Sequence, residues 1–249
     1  MDCISTNFSM KSTNKNPEFS GGILIVNKPS GWTSHDVVSK TRKILQGIKV
    51  GHTGTLDPMA TGVMILLIGK ATRLAYRFEH DTKRYRAEIT FGRSTDTYDC
   101  TGKTTRVSDT SKVNLSFLSE SINNLKGESE QIPPMYSAVK VGGKKLYQLA
   151  RSGKTVERKP RKIFISSISA VLDDFPRIIV DIECSKGTYI RSIAHHLGEA
   201  VDCPAHLSNL SRTACGNFTI DEAVDFLSLV QASAEDVIEL IKPAELTTL

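Results

Sequence analysis

Asp57 is the side chain on which chemistry would turn. It is the one carboxylate in Gly51–Gly62 (GHTGTLDPMATG), and no basic residue lies between Gly51 and Ile68. Three glycines and Pro58 mark a loop with unusual backbone demands. The apolar run VMILLI at 63–68 reads as a fully buried strand that would hold it. Loops anchored in this way are where catalytic groups sit. Asp57-Pro58 also suits a plain turn, or the N-cap and N1 of a short helix. Two further residues could complete a site. Tyr85 lies on the inward face of an alternating strand, and Arg191 falls in the first turn of a helix. A cation there opposes the helix dipole unless a carboxylate compensates, which makes Arg191 a candidate partner for a buried Asp. Asp96 and Asp99 share a polar loop, but no His or third carboxylate nearby completes a metal shell.

The elements that must position these groups follow from periodicity. Residues 22–26 (GILIV) form a short strand. After a turn at Asn27–Trp32 comes a helix opened by a Thr33/Asp36 capping box, its apolar face made by Val37, Val38, Thr41, Ile44 and Leu45. In 84–91 (RYRAEITF), Tyr85, Ala87, Ile89 and Phe91 share one face, and Arg84, Arg86, Glu88 and Thr90 share the other. Leu115, Leu118, Ile122 and Leu125 mark a helix closed by Lys126-Gly127. A short helix is expected near 146–151, strands near 163–171 and 177–184, and a helix from Thr188 striped by Ile190, Ile193, Ala194, Leu197 and Val201. That stripe leaves Arg191 just off it. His195 and Glu199 read as a surface contact; His196 and His206 have no evident partners. Residues 1–20 read as a disordered tail. The acidic end from Asp221 reads as two helices, with capping boxes at Thr219/Glu222 and Ser233/Asp236.

Composition narrows the class. The chain has 249 residues, 39% of them apolar and 24% charged, enough for one large globular unit. No apolar run approaches the length of a membrane span, and no signal peptide is evident. Five cysteines without a close pair point to a reducing compartment, hence the cytoplasm. The net charge of +5 is concentrated. From Lys140 to Lys162, nine basic residues stand against Glu157 alone, the footprint of a polyanion partner. Gly69-Lys70 fails as a phosphate loop, since Ala71 stands where Ser or Thr is needed, and no strand is followed by a dinucleotide fingerprint.

Seven blocks in one order resemble the TruB-type tRNA pseudouridine synthases, the tRNA pseudouridine-55 synthases, in a short bacterial form. They are LIVNKPSG (24–31), GHTGTLDPMATGV (51–63), KRYR (83–86), GRSTDT (92–97), IPPMYSAVK (132–140), GKKLY (143–147) and CSKGTYIR (184–191). The resemblance implies an α+β pseudouridine synthase fold: a mixed, largely antiparallel sheet with flanking helices and an inserted basic hairpin. It implies a cofactor-free and metal-free isomerisation of the uridine at position 55 of the tRNA T-loop. The target base is flipped out of its stack, as chemistry on a stacked base requires. Asp57 would be the nucleophile, Arg191 its ion-pair partner, and Tyr85 the ring that stacks on the base where the C5 proton leaves. His52 would fill the space vacated by the nucleotide. Tyr189 and Leu210 would line the uracil pocket, while Lys28 and Asp99 belong to supporting loops. Lys140, Lys144, Lys145, Arg151 and Lys154 would contact the RNA backbone. The expected organisation is a tail over 1–20, a catalytic domain over 21–218 with its RNA-binding insertion at about 132–162, and a short acidic helical extension over 219–249 in place of a further RNA-binding domain. A monomer that needs no guide RNA is expected. The competing classes are an RNA-binding protein that kept the scaffold, and a carboxylate glycoside hydrolase, which would need a second positioned acid.

Overall fold

The structure is a computed structural model that describes residues 20–78 and 81–244; apart from Ser20, the expected tail lies outside them. The elements run β1 (Gly21–Lys28), α1 (Ser34–Ile44), β2 (Val50–His52), β3 (Thr61–Gly69), a 3-10 helix (Lys70–Phe78) and β4 (Lys83–Phe91). There follow β5 (Arg93–Thr95), β6 (Thr104–Val107), α2 (Leu115–Asn123), β7 (Gly127–Gln131), β8 (Lys140–Val141), β9 (Lys144–Lys145) and α3 (Leu146–Arg151). The remainder is β10 (Arg161–Val171), β11 (Arg177–Cys184), α4 (Ile190–Ala200), β12 (Ala205–Cys215), β13 (Phe218–Thr219), β14 (Val224–Asp225), α5 (Phe226–Gln231) and α6 (Ala234–Glu239).

One sheet dominates, in the order β14-β1-β3-β12-β4-β11-β10-β7, with β2 on β3 and β13 on β12. Its pairs are antiparallel except β1 with β14 and β3 with β12, so the expected mixed, largely antiparallel sheet is found. The apolar runs of β1 and β3 behave as their composition dictates. Leu24, Val26, Met64, Leu66 and Ile68 pack on one side with α1, α5 and α6. Ile23, Ile25, Val63, Ile65 and Leu67 pack on the other with the 3-10 helix. A strand covered on both faces has no polar alternation to show. β4 does alternate: Ala87, Ile89 and Phe91 are buried under α2 and α4.

Several local expectations hold to the residue. Thr33 caps α1, with Asp36 completing the box, and β11 and α3 have the expected bounds. Others shift for physical reasons. Asp57 opens no helix: Ala60 N–H donates to Asp57 O at 3.1 Å, closing a turn. The Thr219/Glu222 box opens only a three-residue 3-10 turn, and α5 is instead capped by Asp225, whose carboxylate accepts from Ser228 N–H. Ser233/Asp236 caps α6 as expected. The acidic segment returns to the sheet, where β14 lies parallel to β1 and Ile23 exchanges backbone bonds with Lys242.

Candidate active site

The loop bearing Asp57 is held from below by the turn between β1 and α1. Ser34 Oγ donates to Leu56 O at 3.0 Å and accepts from Leu56 N–H at 2.8 Å. Gly31 N–H donates to Pro58 O at 2.8 Å, and Ser30 Oγ to Met59 O at 3.1 Å. Lys28, with no exposed surface, aims its ammonium at three carbonyls: Pro29 (2.8 Å), Trp32 (2.6 Å) and Pro58 (3.3 Å). It ties the residue after Asp57 to β1.

Burial pulls the Lys28 pKa down to about 8; Asp57 and Asp36 oppose the shift and Arg212 adds to it. The unfolded chain holds this proton up to the ordinary value of 10.5. Between the two values the unfolded state therefore binds more protons, so stability rises with pH across that window and the penalty is constant below it. Urea midpoints measured across the window should rise in the wild type, and Lys28→Met should remove that part of the rise.

Arg191 is the second residue of α4 and is only 4% exposed, not off the buried stripe. Its Nε donates to Asp57 Oδ2 at 2.8 Å and Nη2 to Asp57 Oδ1 at 3.3 Å, a two-point contact of the strong charge-assisted kind. Nη1 donates to Thr97 O at 2.9 Å, Nη2 also to Tyr136 O at 2.8 Å, and Asp99 Oδ2 stands 3.7 Å from Nε. Two carboxylates thus offset the helix dipole, the compensation a first-turn cation requires. The Asp57 side chain remains 34% exposed, so one face of the carboxylate is open.

That face looks into a cavity of about 390 Å³ lined by Asp57, Tyr85, Tyr189, Arg191 and Leu210, among others. Tyr189 is fixed by Gln131, whose amide accepts from Tyr189 N–H at 2.8 Å and donates to Tyr189 O at 3.1 Å. Tyr85 is half-buried on β4. Burial raises its phenol pKa, and the neighbouring Arg212 guanidinium opposes that rise. Asp99 lies behind Arg191: its Oδ1 accepts from Thr97 Oγ1, Thr101 N–H and Thr101 Oγ1 at 2.6–2.9 Å. Asp96 accepts from Lys103 N–H. Neither carboxylate lines the cavity, so among the described residues no second acid shares the cavity wall with Asp57 as a glycoside hydrolase would require. His52 ends β2, one residue before the cavity wall begins at Thr53; burial, with Arg212 and His35, lowers its pKa. His206, without an evident partner in the sequence, shares its ring nitrogens with Arg93.

Among the cavity residues that the sequence did not single out are Lys83, Ser137 and Arg212. Arg212 had a signal, since two residues beyond Leu210 on a strand is the same face. Ser137 Oγ is buried with no partner among the described residues; it lies in the 132–140 block, but nothing in its type or spacing singles it out there.

The basic segment folds as the expected hairpin. Gly142 and Gly143 both take positive φ (57° and 79°), as a type I′ turn between β8 and β9 demands. Its root touches the site, since Tyr136 O accepts from Arg191, and Ser137 O from Tyr147 N–H at 3.1 Å. Lys140, Lys144, Arg151 and Lys154 are exposed and Lys145 half-buried. Lys145 and Arg151 each stand 5.5 Å from the Tyr147 ring. None of these five lies in the cavity wall.

Among the described residues no helix is long and apolar enough to cross a membrane. Residues 42–190 match the profile of the TruB family pseudouridylate synthase N-terminal domain, and 191–247 that of the tRNA pseudouridylate synthase B C-terminal domain. The tRNA pseudouridine synthase B of Bacillus subtilis (strain 168) is 45% identical over 231 residues, covering 90% of this chain and 75% of that one. That of Caldanaerobacter subterraneus is 46% identical over 216 residues, covering 86% and 75%. Among solved structures, a Cbf5-Nop10-Gar1 complex matches at a TM-score of 0.70 and 28% identity, over 91% of this chain and 61% of that one. An H/ACA RNP bound to a substrate RNA containing 2'-deoxyuridine matches at 0.67 and 26%, over 90% and 59%. This chain therefore spans about three fifths of those solved chains. With both family profiles meeting at Arg191 and its partner Asp57 open to the cavity, the chain belongs to the TruB family of pseudouridylate synthases.

Proposed function

We propose that this chain isomerises uridine to pseudouridine at position 55 of the tRNA T-loop, acting in the cytoplasm as a monomer without guide RNA. The observation that carries the reading is the Asp57 carboxylate, paired on one side by Arg191 and open to the cavity on the other. In the reaction the N1–C1′ bond breaks, a C5–C1′ bond forms, the C5 proton leaves and N1 gains one. Asp57 bonds transiently to the nucleotide, and Arg191 keeps the carboxylate aimed. Tyr85, Tyr189 and Leu210 receive the flipped uracil. His52, beside the wall, occupies the gap the base leaves in the RNA. The body over 21–218 carries this chemistry, with the hairpin as its RNA-gripping insertion and the acidic segment beyond Phe218 as a buttress against β1.

The hairpin supplies the grip. Lys140 stands directly opposite Lys145 in the β8–β9 register, and like charges so placed destabilise a pair of strands. A phosphate backbone relieves that repulsion. Lys144→Ala with Lys145→Ala should weaken T-arm binding and lower the slope of log affinity against log salt by about 0.7–0.9 for each phosphate no longer neutralised. Titrations at several salt concentrations check this; an unchanged slope would remove the hairpin from the interface.

The reading itself is tested with a T-arm stem-loop carrying tritium at C5 of the target uridine, with no other RNA added. Tritium appears in water and the RNA stays intact. Binding without release would leave an RNA-binding scaffold, and free uracil would mean a hydrolase.

A further inference from the structure

Arg212 has no place in the reading so far, yet it is the more deeply buried of the two arginines in the cavity wall. It is 2% exposed, donates from Nε to Val63 O at 2.7 Å and from Nη2 to Gly54 O at 3.1 Å. Both acceptors flank the Asp57 loop. Room for this is made at Gly62, whose φ is 104° and where a Cβ would stand 2.2 Å from Arg212 O. Only glycine lets β3 and β12 approach so closely. A bulge follows Arg212 in its pairing with β4, the kind of irregularity that re-aims a side chain.

Two features set this guanidinium apart from Arg191. No carboxylate pairs with it among the described residues; its hydrogen-bond acceptors are neutral carbonyls. It also stands directly opposite Tyr85 in the antiparallel β12–β4 register, and both side chains line the cavity. A buried unpaired charge is costly and persists where it is used or satisfied by a partner. The group opposite it that could become its counter-anion is the Tyr85 phenol.

We infer that Arg212 is a positioning residue for the deprotonation step: it holds the Tyr85 oxygen in place and stabilises it as a phenolate while it removes the C5 proton. The inference rests on the proposed isomerisation. In that step Tyr85 first gives its proton to solvent, and the phenolate then takes the proton from C5. The C5–H bond breaks, and its electron pair restores the C5=C6 double bond of uracil. The Arg212 charge is neutralised only while the phenolate exists, so the stabilisation acts along the step and not on the resting site. The environment agrees in direction, since Arg212 is the leading influence that offsets the rise burial imposes on this phenol.

The test is an isotope effect on single turnovers, with the target uridine carrying hydrogen or deuterium at C5. In Arg212→Met the rate should fall about 100-fold, the scale of one general-base contribution, and the C5 isotope effect should grow over that of the wild type because proton removal has become limiting. Arg212→Lys, which keeps the charge, should lose less rate and show a smaller isotope effect than the Met variant. A loss of rate with an unchanged isotope effect in both variants would reduce Arg212 to a loop anchor and overturn the inference. The Lys variant carries the test alone if the Met variant does not fold. A wild type that releases no C5 hydrogen would instead sink the isomerase reading.

Discussion

Asp57→Asn should abolish tritium release, lowering turnover on the order of 10⁴-fold or more, the scale seen when a covalent nucleophile is removed. RNA binding should survive. Asn keeps the shape and one acceptor oxygen, so the turn closed at Ala60 and the clamp from Ser34 and Lys28 are untouched. Arg191 retains Thr97 O, Tyr136 O and the nearby Asp99. The stability cost should therefore be that of one weakened charged hydrogen bond, about 1–3 kcal/mol. Equilibrium binding of a T-arm stem-loop, tritium release and a urea melt on the same preparation separate the three quantities. Turnover within tenfold of wild type would exclude Asp57 as nucleophile.

Arg191→Met should be the more damaging change to the fold. It leaves Thr97 O and Tyr136 O without their donor, and it leaves Asp57 and Asp99 facing each other with the shared cation gone. Breaking one side of a buried pair costs about 3–5 kcal/mol, here roughly 6–20 °C in melting temperature at about 2–4 °C per kcal/mol for a chain of this size. Activity should fall with it, because the carboxylate loses its aim. Arg191→Lys should recover part of the stability but little of the rate, since a single ammonium cannot make the two-point contact. A thermal melt and the tritium assay check both. The informative comparison is Asp99→Asn, which should lower activity less than Arg191→Met because Thr97 and Thr101 still hold that loop.

Much of this was readable in the sequence. β1 and β3 follow from their apolar runs, and α1, β4 and β11 from periodicity, because each buries one face, or two, in the expected way. Asp57, Tyr85 and Arg191 stood out as the inward or energetically awkward members of such elements, and they converge on one cavity. The largest miss was β12. Its sequence AHLSNLSRTAC mixes small, polar and apolar residues, and register shifts between Leu207 and Asn209 and between Arg212 and Ala214 break its alternation. A two-residue period cannot be read through two such irregularities. With β12 went the partners of His206 and the role of Arg212. Arg191 looked peripheral for a related reason: the helix stripe was drawn on apolar residues, and a guanidinium buried by two carboxylates does not register as core.

The position of β12 also sets when in the life of the chain this enzyme exists. β4, which carries Tyr85, lies between β11 and β12, both made nearly a hundred residues or more after it. Asp57 and Arg191 are separated by 134 residues. A chain emerging from the ribosome holds its β1–β3 pair and the Asp57 loop early, yet β4 waits with one neighbour missing on each side. The site thus closes only once β12 is made, and only a chain extended past Cys215 has its full wall. Non-local pairing of this kind is slow, which makes nascent and truncated forms inert toward tRNA and not partially active.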